Sequence, residues 1–310
     1  MQSPPLIIGT RGSPLALYQA NLVQDLICQT SGRSKDEVVI QILQTRGDQI
    51  QGELKDFGGK GLFTRELELA LLEGRIDLAV HSMKDVPTVG HDDLNICAIL
   101  PRADVRDGFI SVKYQSLDDL PKGALIGSAS LRRRAQLAVL RPDLKFCLLR
   151  GNVGTRLKKL EDGVCDATML ACAGLRRLEQ ADRITQVVET DVMLPAPAQG
   201  AIGVEIRKDS EDIQALLHPL NDRATELEIT AERAFLRALD GNCRTPIAAL
   251  AKLDGESLSL QGEILAKDGS LRIAQRVSGK VSTSDSAYAL GFKLGESVRE
   301  EVDGRIIFDD

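Results

Sequence analysis

The chain of 310 residues contains 39 Lys and Arg against 45 Asp and Glu, carries a formal net charge of −6 and is 43% hydrophobic. This balance is typical of a globular protein and argues against disordered and fibrous chains. At about 100 to 150 residues per domain, the length predicts two or three domains and excludes a single small module.

The sequence carries no recognisable targeting or metal-binding signal. The N-terminus has only three apolar residues before Gly9 and no basic start, so it does not match a secretory signal, and we expect a cytoplasmic protein. No stretch approaches the roughly 18 apolar residues of a membrane-spanning helix, so we expect no membrane function. The six cysteines are therefore expected to be reduced thiols. With no Cys-x-x-Cys pair and three scattered histidines, we predict no metal site.

A strand followed by a helix is the first pattern along the chain. Leu6–Ile8 is apolar and leads into a turn that ends at Ser13 and Pro14, after which apolar residues recur at helical spacing. We expect Ser13 to be the N-cap of this helix and Pro14 its first residue. The elements expected next are a strand over 38–43, a helix over 64–73 and a strand over 76–80. Strands that alternate with helices predict parallel sheets joined by crossover helices.

The same pattern returns in the middle of the chain. Leu125–Gly127 predicts a strand, Ser130 a second N-cap, and the arginine-rich residues after it a helix that ends before Pro142. The segment 72–80 also resembles 161–169, since each runs from a helix end through glycine and Asp into a strand. Two similar α/β lobes are the simplest interpretation. The alternative, that any α/β protein repeats this pattern, stays open.

The pattern changes after the second lobe. The proline-rich turn 194–200 is expected to be a hinge or a crossing strand between the lobes. The elements expected after it are a helix over 225–238, alternating segments over 247–253, 258–265 and 271–277, and a helix over 285–299. Asp-Gly turns separate the segments, which predicts an antiparallel sheet. The predicted domains are lobe 1 over 1–101 and 200–220, lobe 2 over 102–199, and a C-terminal domain over 221–310.

Positive charge is concentrated in one segment. Between Arg132 and Lys159 there are nine basic residues against the single acid Asp143, although the chain is acidic overall. A basic islet in an acidic protein favours a specific anionic ligand over nucleic acid, which usually meets a domain-wide basic face. Because only 3% of the residues are aromatic, few side chains are available to stack on nucleic-acid bases. A solvated helix face is the alternative, and it suits Lys158 and Lys159.

Several arginines fit a binding site better than a solvated face. Arg132 and Arg133 open the helix after Ser130, and Arg150 ends an apolar strand. We therefore expect these arginines at the carboxyl ends of strands, where open α/β sheets bind ligands. Arg11 lies in the matching turn of the first lobe. Because helix N-termini and guanidinium groups both favour anions, the predicted ligand carries several carboxylates or a phosphate.

Asp85 is the one well-placed acid that we find in this basic neighbourhood. It follows a buried strand that leads into His81, and beside Lys84 and the arginines its carboxylate is expected to stay ionised. Such a group can stabilise a developing cation and move protons. The alternative is an Asx turn before Pro87. We expect His81 to be packed or hydrogen-bonded rather than to act as a base.

Cys243 differs from the other cysteines because it lies in a polar turn. Arg244 beside it favours a reactive thiolate. An incidental exposed cysteine is the alternative. No histidine is paired with it in the sequence, so protease chemistry has no support.

Six motifs stand in order along the chain. They are GTRGSPLA (9–16), GGKGLF (58–63), HSMKDVP (81–87), GSASLRR (127–133), LRGNVGTR (149–156) and AERAFL (231–236). Together they closely resemble the motifs of the hydroxymethylbilane synthases, also called porphobilinogen deaminases, and the match covers essentially the whole chain. The resemblance implies an α/β fold with two lobes like those of type II periplasmic binding proteins. A small C-terminal α+β domain with a three-stranded antiparallel sheet would complete it.

The activity that the resemblance implies is that of a transferase of haem biosynthesis. It would join four porphobilinogen molecules head to tail into the linear tetrapyrrole hydroxymethylbilane and release ammonia. The implied cofactor is a dipyrromethane held by a thioether to Cys243, and the implied catalytic acid is Asp85. Many members of the family have two glycines before this cysteine, whereas here the second is Asn242, which tolerates the same turn.

Further site residues follow from the same motif matching. Those implied to hold the carboxylates of the cofactor are Ser82, Lys84, Ser130, Arg132, Arg133 and Arg156. Those implied to bind the incoming substrate and handle the growing chain are Arg11, Ser13, Lys60, Phe63, Arg150, Arg177 and Gln199.

Two other classes of function stay open. A non-catalytic binding protein for a dicarboxylate or oxyanion could use the same two lobes, although the third domain with Cys243 argues against it. A nucleic-acid binder rests on Arg132–Arg134 alone. Because no long apolar stripe or heptad pattern stands out, we expect a monomer. Its expected partner is the small-molecule substrate porphobilinogen, with no nucleic acid and no membrane.

Overall fold

The computed structural model describes residues 4–45, 64–240 and 245–305. The chain divides into two compact units. The first consists of Met1–Arg102 and Ala201–Glu226, and the second of Ala103–Gly200 and Leu227–Asp310. The second unit therefore holds both the predicted lobe 2 and most of the predicted C-terminal domain, and the division into three domains stays a prediction.

Strands and helices alternate along most of the described chain. The strands are β1 (Leu6–Arg11), β2 (Val38–Leu43), β3 (Leu78–Ser82), β4 (Leu94–Ile99), β5 (Asp107–Ser111), β6 (Leu125–Gly127), β7 (Lys145–Cys147), β8 (Ala167–Ala171), β9 (Gln186–Val188), β10 (Ile202–Arg207), β11 (Ile247–Asp254), β12 (Ser257–Leu265) and β13 (Arg272–Lys280). The helices are α1 (Pro14–Ser31), α2 (Arg65–Leu72), α3 (Leu131–Leu140), α4 (Val153–Glu161), α5 (Cys172–Arg177), α6 (Glu211–Leu217), α7 (Arg223–Ala238) and α8 (Ser284–Val302).

The first unit is built on a five-stranded sheet in the order β2-β1-β3-β10-β4. Strands β1, β2 and β3 are parallel, whereas β10 runs antiparallel to its neighbours β3 and β4. Ile8, Val80 and Val204 lie in the same buried core, as expected for strands covered by helices. The carboxyl ends of β1 and β3 therefore lie at the same edge of the sheet.

The second unit repeats this arrangement. Its five-stranded sheet has the order β7-β6-β8-β5-β9, with β6, β7 and β8 parallel and β5 antiparallel to both β8 and β9. In both sheets the fourth strand runs against the other four. This common order confirms the predicted α/β class and the two similar lobes.

Serine caps set the start of the two helices that the sequence singled out. The Ser13 side chain accepts a hydrogen bond from the Ala16 amide, and Pro14 is the first residue of α1. Gly32, in the left-handed conformation with φ of 74°, ends the helix. The Ser130 side chain accepts from the Arg133 amide at the start of α3. Both predicted N-caps are confirmed.

The C-terminal residues of the second unit form an antiparallel sheet in the order β11-β12-β13. Phe235 of α7, Leu260 of β12 and Val298 of α8 lie in one buried core. The predicted three-stranded sheet is thus confirmed. Residues 194–200, for which we expected a hinge or a crossing strand, form no strand: 194–196 are irregular and 197–200 form a turn. The hinge stays a prediction. No helix in the described part of the chain is long and apolar enough to cross a bilayer.

Helices α7 and α8 approach each other closely at Gly291. A Cβ atom at this position would lie 2.0 Å from the Ala231 carbonyl oxygen, which belongs to rigid helix backbone. We expect Gly291→Ala to lower the free energy of unfolding by about 1–3 kcal/mol, because the helices must move apart. Urea unfolding followed by circular dichroism measures the change. Gly90→Ala is the control, since a Cβ there meets nothing within 4 Å, and equal losses in both variants would contradict the close approach.

Candidate active site

A small cavity opens in the first unit beside the carboxyl ends of β1 and β3. Its volume is about 60 Å³. Its lining residues include Arg11, Ser13, Gln19, Thr64, Ser82 and Asp85. The sheet explains this grouping, because Arg11 ends β1 and Asp85 lies just beyond the end of β3. The structure therefore brings the predicted acid together with an arginine and two serines from the predicted site.

Asp85 lies in a single turn of 3-10 helix, Met83–Asp85, that follows β3 directly. The turn is held by the Met83 amide, which donates to the Ala201 carbonyl at 3.1 Å, and by the Val86 amide, which donates to Met83 at 3.3 Å. Met83 is buried, whereas Lys84 and Asp85 are exposed. Within the described residues no group donates a hydrogen bond to the Asp85 carboxylate, so the alternative of an Asx turn does not form there.

The serines beside Asp85 are engaged in local hydrogen bonds. Gln19 Nε2 donates to Ser82 Oγ at 2.8 Å, and Ser13 Oγ caps α1. Sequence reasoning missed Gln19, and the available signal was a glutamine among the residues that α1 buries. His81 Nε2 lies 2.9 Å from Glu205 Oε2, with both side chains buried. This confirms that His81 is a hydrogen-bonded residue at the strand end.

The second unit contains a buried cluster of charges around Asp107. Arg132 Nη2 donates to Asp107 Oδ2 at 2.7 Å, and Arg133 Nη2 donates to Asp107 Oδ1 at 2.7 Å. Backbone carbonyl oxygens accept further hydrogen bonds from the two guanidinium groups. Arg132 Nη1 donates to the Leu194 carbonyl, and Arg133 Nη1 donates to the Met169 carbonyl. The two arginines are therefore fixed inside the protein rather than spread over a solvated helix face.

Asp107 is a second well-placed acid, so the expectation that Asp85 is the only one near the arginines is wrong. Burial alone would raise the pKa of Asp107, but the charges of Arg132 and Arg133 and their hydrogen bonds outweigh burial and hold the pKa below its ordinary range. Burial also lowers the pKa of Arg132, although Asp107 opposes this effect. The sequence signal was an acid at the start of the apolar strand β5.

Unused donor atoms on the arginines indicate what this unit can bind. Arg132 Nε, Arg133 Nε and Arg150 Nη1 are buried and have no hydrogen-bond partner among the described residues. Burying such a donor without a partner costs about 1–3 kcal/mol, so these atoms favour an acceptor that reaches them. Guanidinium N–H groups match carboxylates. The donor set therefore fits an acidic ligand with several carboxylates.

The other predicted residues of the second unit lie on turns and helices. Gln199 is buried, and its Nε2 donates to Asp107 Oδ1 at 3.0 Å and to the Val105 carbonyl at 2.7 Å. Arg156 Nε donates to the Gly151 carbonyl, and Arg177 Nη2 donates to the Gly200 carbonyl. Ser130 is the N-cap of α3. Gln199 thus supports the Asp107 cluster directly, a role that the sequence did not indicate.

Three predicted site residues, Lys60, Phe63 and Cys243, lie outside the described residues. The five other cysteines carry free thiols and are at least partly buried. Burial raises the pKa of Cys97 to about 12 and the pKa values of Cys165 and Cys172 to about 11, which keeps these thiols protonated and unreactive at neutral pH. In the described part of the chain no three side chains of the metal-binding types cluster.

Comparisons with solved structures return proteins of low sequence identity. A putative methionine-binding lipoprotein from Bacillus subtilis is 16% identical and has a TM-score of 0.44, covering 72% of this chain and 92% of its own. A periplasmic substrate-binding protein of an ABC transporter from Coxiella burnetii is 14% identical and has a TM-score of 0.45, covering 71% and 93%.

Comparisons of sequence give a much closer match. The family model for the dipyrromethane cofactor-binding domain of porphobilinogen deaminase matches residues 6–215, and the model for the C-terminal domain of the same family matches residues 226–300. The porphobilinogen deaminase of Paracoccus denitrificans is 53% identical over 296 residues, which is 95% of this chain and 94% of that protein. That of Nitrobacter hamburgensis is 49% identical over 294 residues, or 94% and 92%.

These matches confirm the predicted function, enzyme class and cofactor. Members of this family are transferases of tetrapyrrole biosynthesis that make hydroxymethylbilane from porphobilinogen with a dipyrromethane cofactor. The unpartnered guanidinium atoms of the second unit agree with a cofactor and substrate that carry many carboxylates. On the family models and the relatives together, the chain belongs to the porphobilinogen deaminase family.

Proposed function

We propose that Asp85 is the catalytic group with which this chain polymerises porphobilinogen into hydroxymethylbilane. The observation that carries the proposal is the position of its carboxylate, which lies exposed after β3 and lines the cavity with Arg11 and Ser13. Because no described residue occupies this carboxylate with a hydrogen bond, it is available to a substrate. Arg11 would bind an acidic side arm of the same substrate.

The chemistry needs one ionised carboxylate at the reacting carbon. The aminomethyl group of porphobilinogen reacts in its protonated, ammonium form: its carbon–nitrogen bond breaks, and neutral ammonia leaves with the electron pair. An azafulvenium cation remains, and the negative charge of Asp85 stabilises it. The carbon of this cation would then bond to the α-carbon of the terminal pyrrole that the chain holds. Asp85 removes the α-proton from that carbon, which restores the aromatic ring.

We assign the arginines of the second unit to the acidic side arms. Each porphobilinogen carries an acetate and a propionate, so each addition brings two further negative charges. Arg132, Arg133 and Arg150 offer unpartnered N–H groups that match carboxylates. We assign Arg132, Arg133, Arg156 and Ser130, with Ser82 and Lys84 of the first unit, to the carboxylates of the cofactor. We assign Arg150 and Arg177 to those of the incoming substrate and the growing chain. When attached through a thioether to Cys243, the dipyrromethane supplies the terminal pyrrole to which the first substrate is joined. We also assign Lys60, Phe63 and Gln199 to the handling of substrate and chain.

Turnover of porphobilinogen tests the activity to which these roles are assigned. The purified chain is expected to consume porphobilinogen and release one ammonia per molecule consumed. It is expected to form one hydroxymethylbilane for every four molecules, with one water taken up when the bilane is released. Reversible binding of porphobilinogen with no release of ammonia would contradict the proposal and favour a binding protein. We further propose a cytoplasmic monomer, and light scattering is expected to give the mass of one 33.6 kDa chain.

A further inference from the structure

A buried carboxylate of the C-terminal sheet contacts the helix that carries Arg132 and Arg133. Glu263 lies on β12 and is 0% exposed. Its Oε1 accepts a hydrogen bond from Gln136 Nε2 at 2.6 Å, and its Oε2 accepts one from Arg272 Nε at 2.7 Å. Gln136 lies on α3, one helical turn after Arg132. The β12 strand is therefore linked to the arginine helix through one glutamine.

The hairpin that carries Glu263 also packs directly on the backbone of α3. Gly269, with φ of 76°, forms the turn between β12 and β13, and a Cβ there would lie 2.9 Å from the backbone of Ala138 and Val139. The hairpin and the helix thus meet at two places, and one of them carries a buried charge. A hairpin that only needed to pack on α3 would not require an ionised side chain at that place.

Glu263 supports one orientation of the Gln136 amide. An ionised carboxylate can only accept, so Gln136 must direct its NH₂ group toward Glu263. The same NH₂ group donates to the Leu194 carbonyl at 3.0 Å. The amide oxygen is therefore directed to the other side, where it accepts from Arg132 Nη1 at 3.0 Å. The Leu194 carbonyl, which can only accept, and Arg132 Nη1, which can only donate, favour the same orientation, and Glu263 adds to it the shortest hydrogen bond that Gln136 makes.

Glu263 also adds negative charge where the cluster lacks it. Asp107 is one carboxylate between two guanidinium groups, and the charge of Glu263 acts on Arg132 as well. Arg272 of β13, whose side chain is partly exposed, forms an ion pair with Glu263. This pair offsets the energetic cost of burying the Glu263 carboxylate. Asp107 therefore holds Arg132 at Nη2, whereas Glu263 acts on Nη1 through Gln136.

We propose that Glu263 is a positioning residue that acts through Gln136 on Arg132 and sets the direction of the unpartnered Arg132 Nε donor. This inference rests on the proposed role of Arg132 in binding carboxylates. The C-terminal sheet would thereby control how tightly the cofactor and the growing chain are held. Its effect is expected in binding and in loading of the cofactor rather than in the reaction at Asp85.

The test compares Glu263→Gln with the unchanged protein and with Glu256→Gln. Glu256 is an exposed residue that pairs with Lys280 and provides the matched control. Each full-length protein is produced without porphobilinogen and then incubated with it, and the mass increment of the loaded chain is followed over time. The KM and kcat of loaded protein and the midpoint of urea unfolding are measured in parallel.

We expect Glu263→Gln to slow loading and raise KM by about tenfold, with kcat changed by less than about twofold. Gln136→Leu breaks the same link and is expected to show the same defect, so it replaces Glu263→Gln if that variant does not fold. A purely structural role would lower the urea midpoint and leave the loading rate and KM unchanged. That result, or an equal defect in Glu256→Gln, would overturn the inference.

Arg132→Gln separates this inference from the proposed function. If Arg132→Gln loads slowly while Glu263→Gln and Gln136→Leu load normally, the inference fails and the role of Arg132 stands. If all three load normally with unchanged KM, the proposed role of Arg132 fails and the inference fails with it. Slow loading in all three supports both.

Discussion

Asp85→Asn is expected to lower kcat by at least about 100-fold, because an amide can neither stabilise the azafulvenium cation by charge nor accept the α-proton. The fold is expected to be unchanged, since the Asp85 side chain is exposed and no described residue depends on it for a hydrogen bond. The same variant is also expected to retain the mass of the bound cofactor. Steady-state kinetics, circular dichroism and intact-protein mass measure these three properties.

Asp92→Asn is the control for this experiment. Asp92 lies in the same unit, is exposed and does not line the cavity. Its replacement is expected to change kcat by less than about twofold, as for most surface substitutions. Near-normal turnover of Asp85→Asn would contradict the role proposed for Asp85, whatever the cofactor content.

Asp107→Ala is expected to lower the free energy of unfolding by about 3–5 kcal/mol, because it leaves Arg132 and Arg133 buried without their shared anion. Gln199 also loses an acceptor in this variant. Asp162→Ala is the control in the same unit, since Asp162 pairs with Lys158 on the surface and such pairs contribute at most about 1 kcal/mol. Equal losses of stability in the two variants in urea would contradict the account of the buried cluster.

The stability that Asp107 provides is also expected to depend on pH. Because its pKa is lowered on folding, the carboxylate contributes full stability above the unfolded pKa of about 4 and loses this contribution as the pH falls toward the folded pKa. The difference in unfolding free energy between the unchanged protein and Asp107→Asn should therefore shrink from pH 7 to pH 3. Urea unfolding of both proteins at pH 7 and at pH 3 measures this difference. If the difference in unfolding free energy were the same at the two pH values, the lowered pKa would be contradicted.

Local sequence patterns predicted much of the fold. A serine followed by an apolar repeat was enough to place the starts of α1 and α3, because an N-cap is a contact within four residues. Asp-Gly turns between alternating segments likewise predicted the sheet of β11, β12 and β13. The sequence indicated the common strand order of the two lobes only through short similar segments. Strand order itself depends on contacts between segments that are distant in the chain.

The buried cluster could not be predicted, because it is made by residues far apart in the chain. Asp107 and Gln199 are 92 positions apart, and Gln136 and Glu263 are 127 apart. A single sequence shows that Arg132 and Arg133 are basic, but not that an acid from another strand is buried between them. The motifs identified Asp85 because the residues that place it, from the end of β3 to Pro87, are consecutive.

The measurement that tests the account most directly is an intact-protein mass spectrum of the purified chain, with peptide mapping of the segment that contains Cys243. We expect a mass increment of two linked pyrrole units, located on Cys243 and lost in Cys243→Ser. An unmodified Cys243 that also gains no adduct when the chain is incubated with porphobilinogen would contradict the account. The chain would then be better explained as a protein that binds acidic ligands without transforming them.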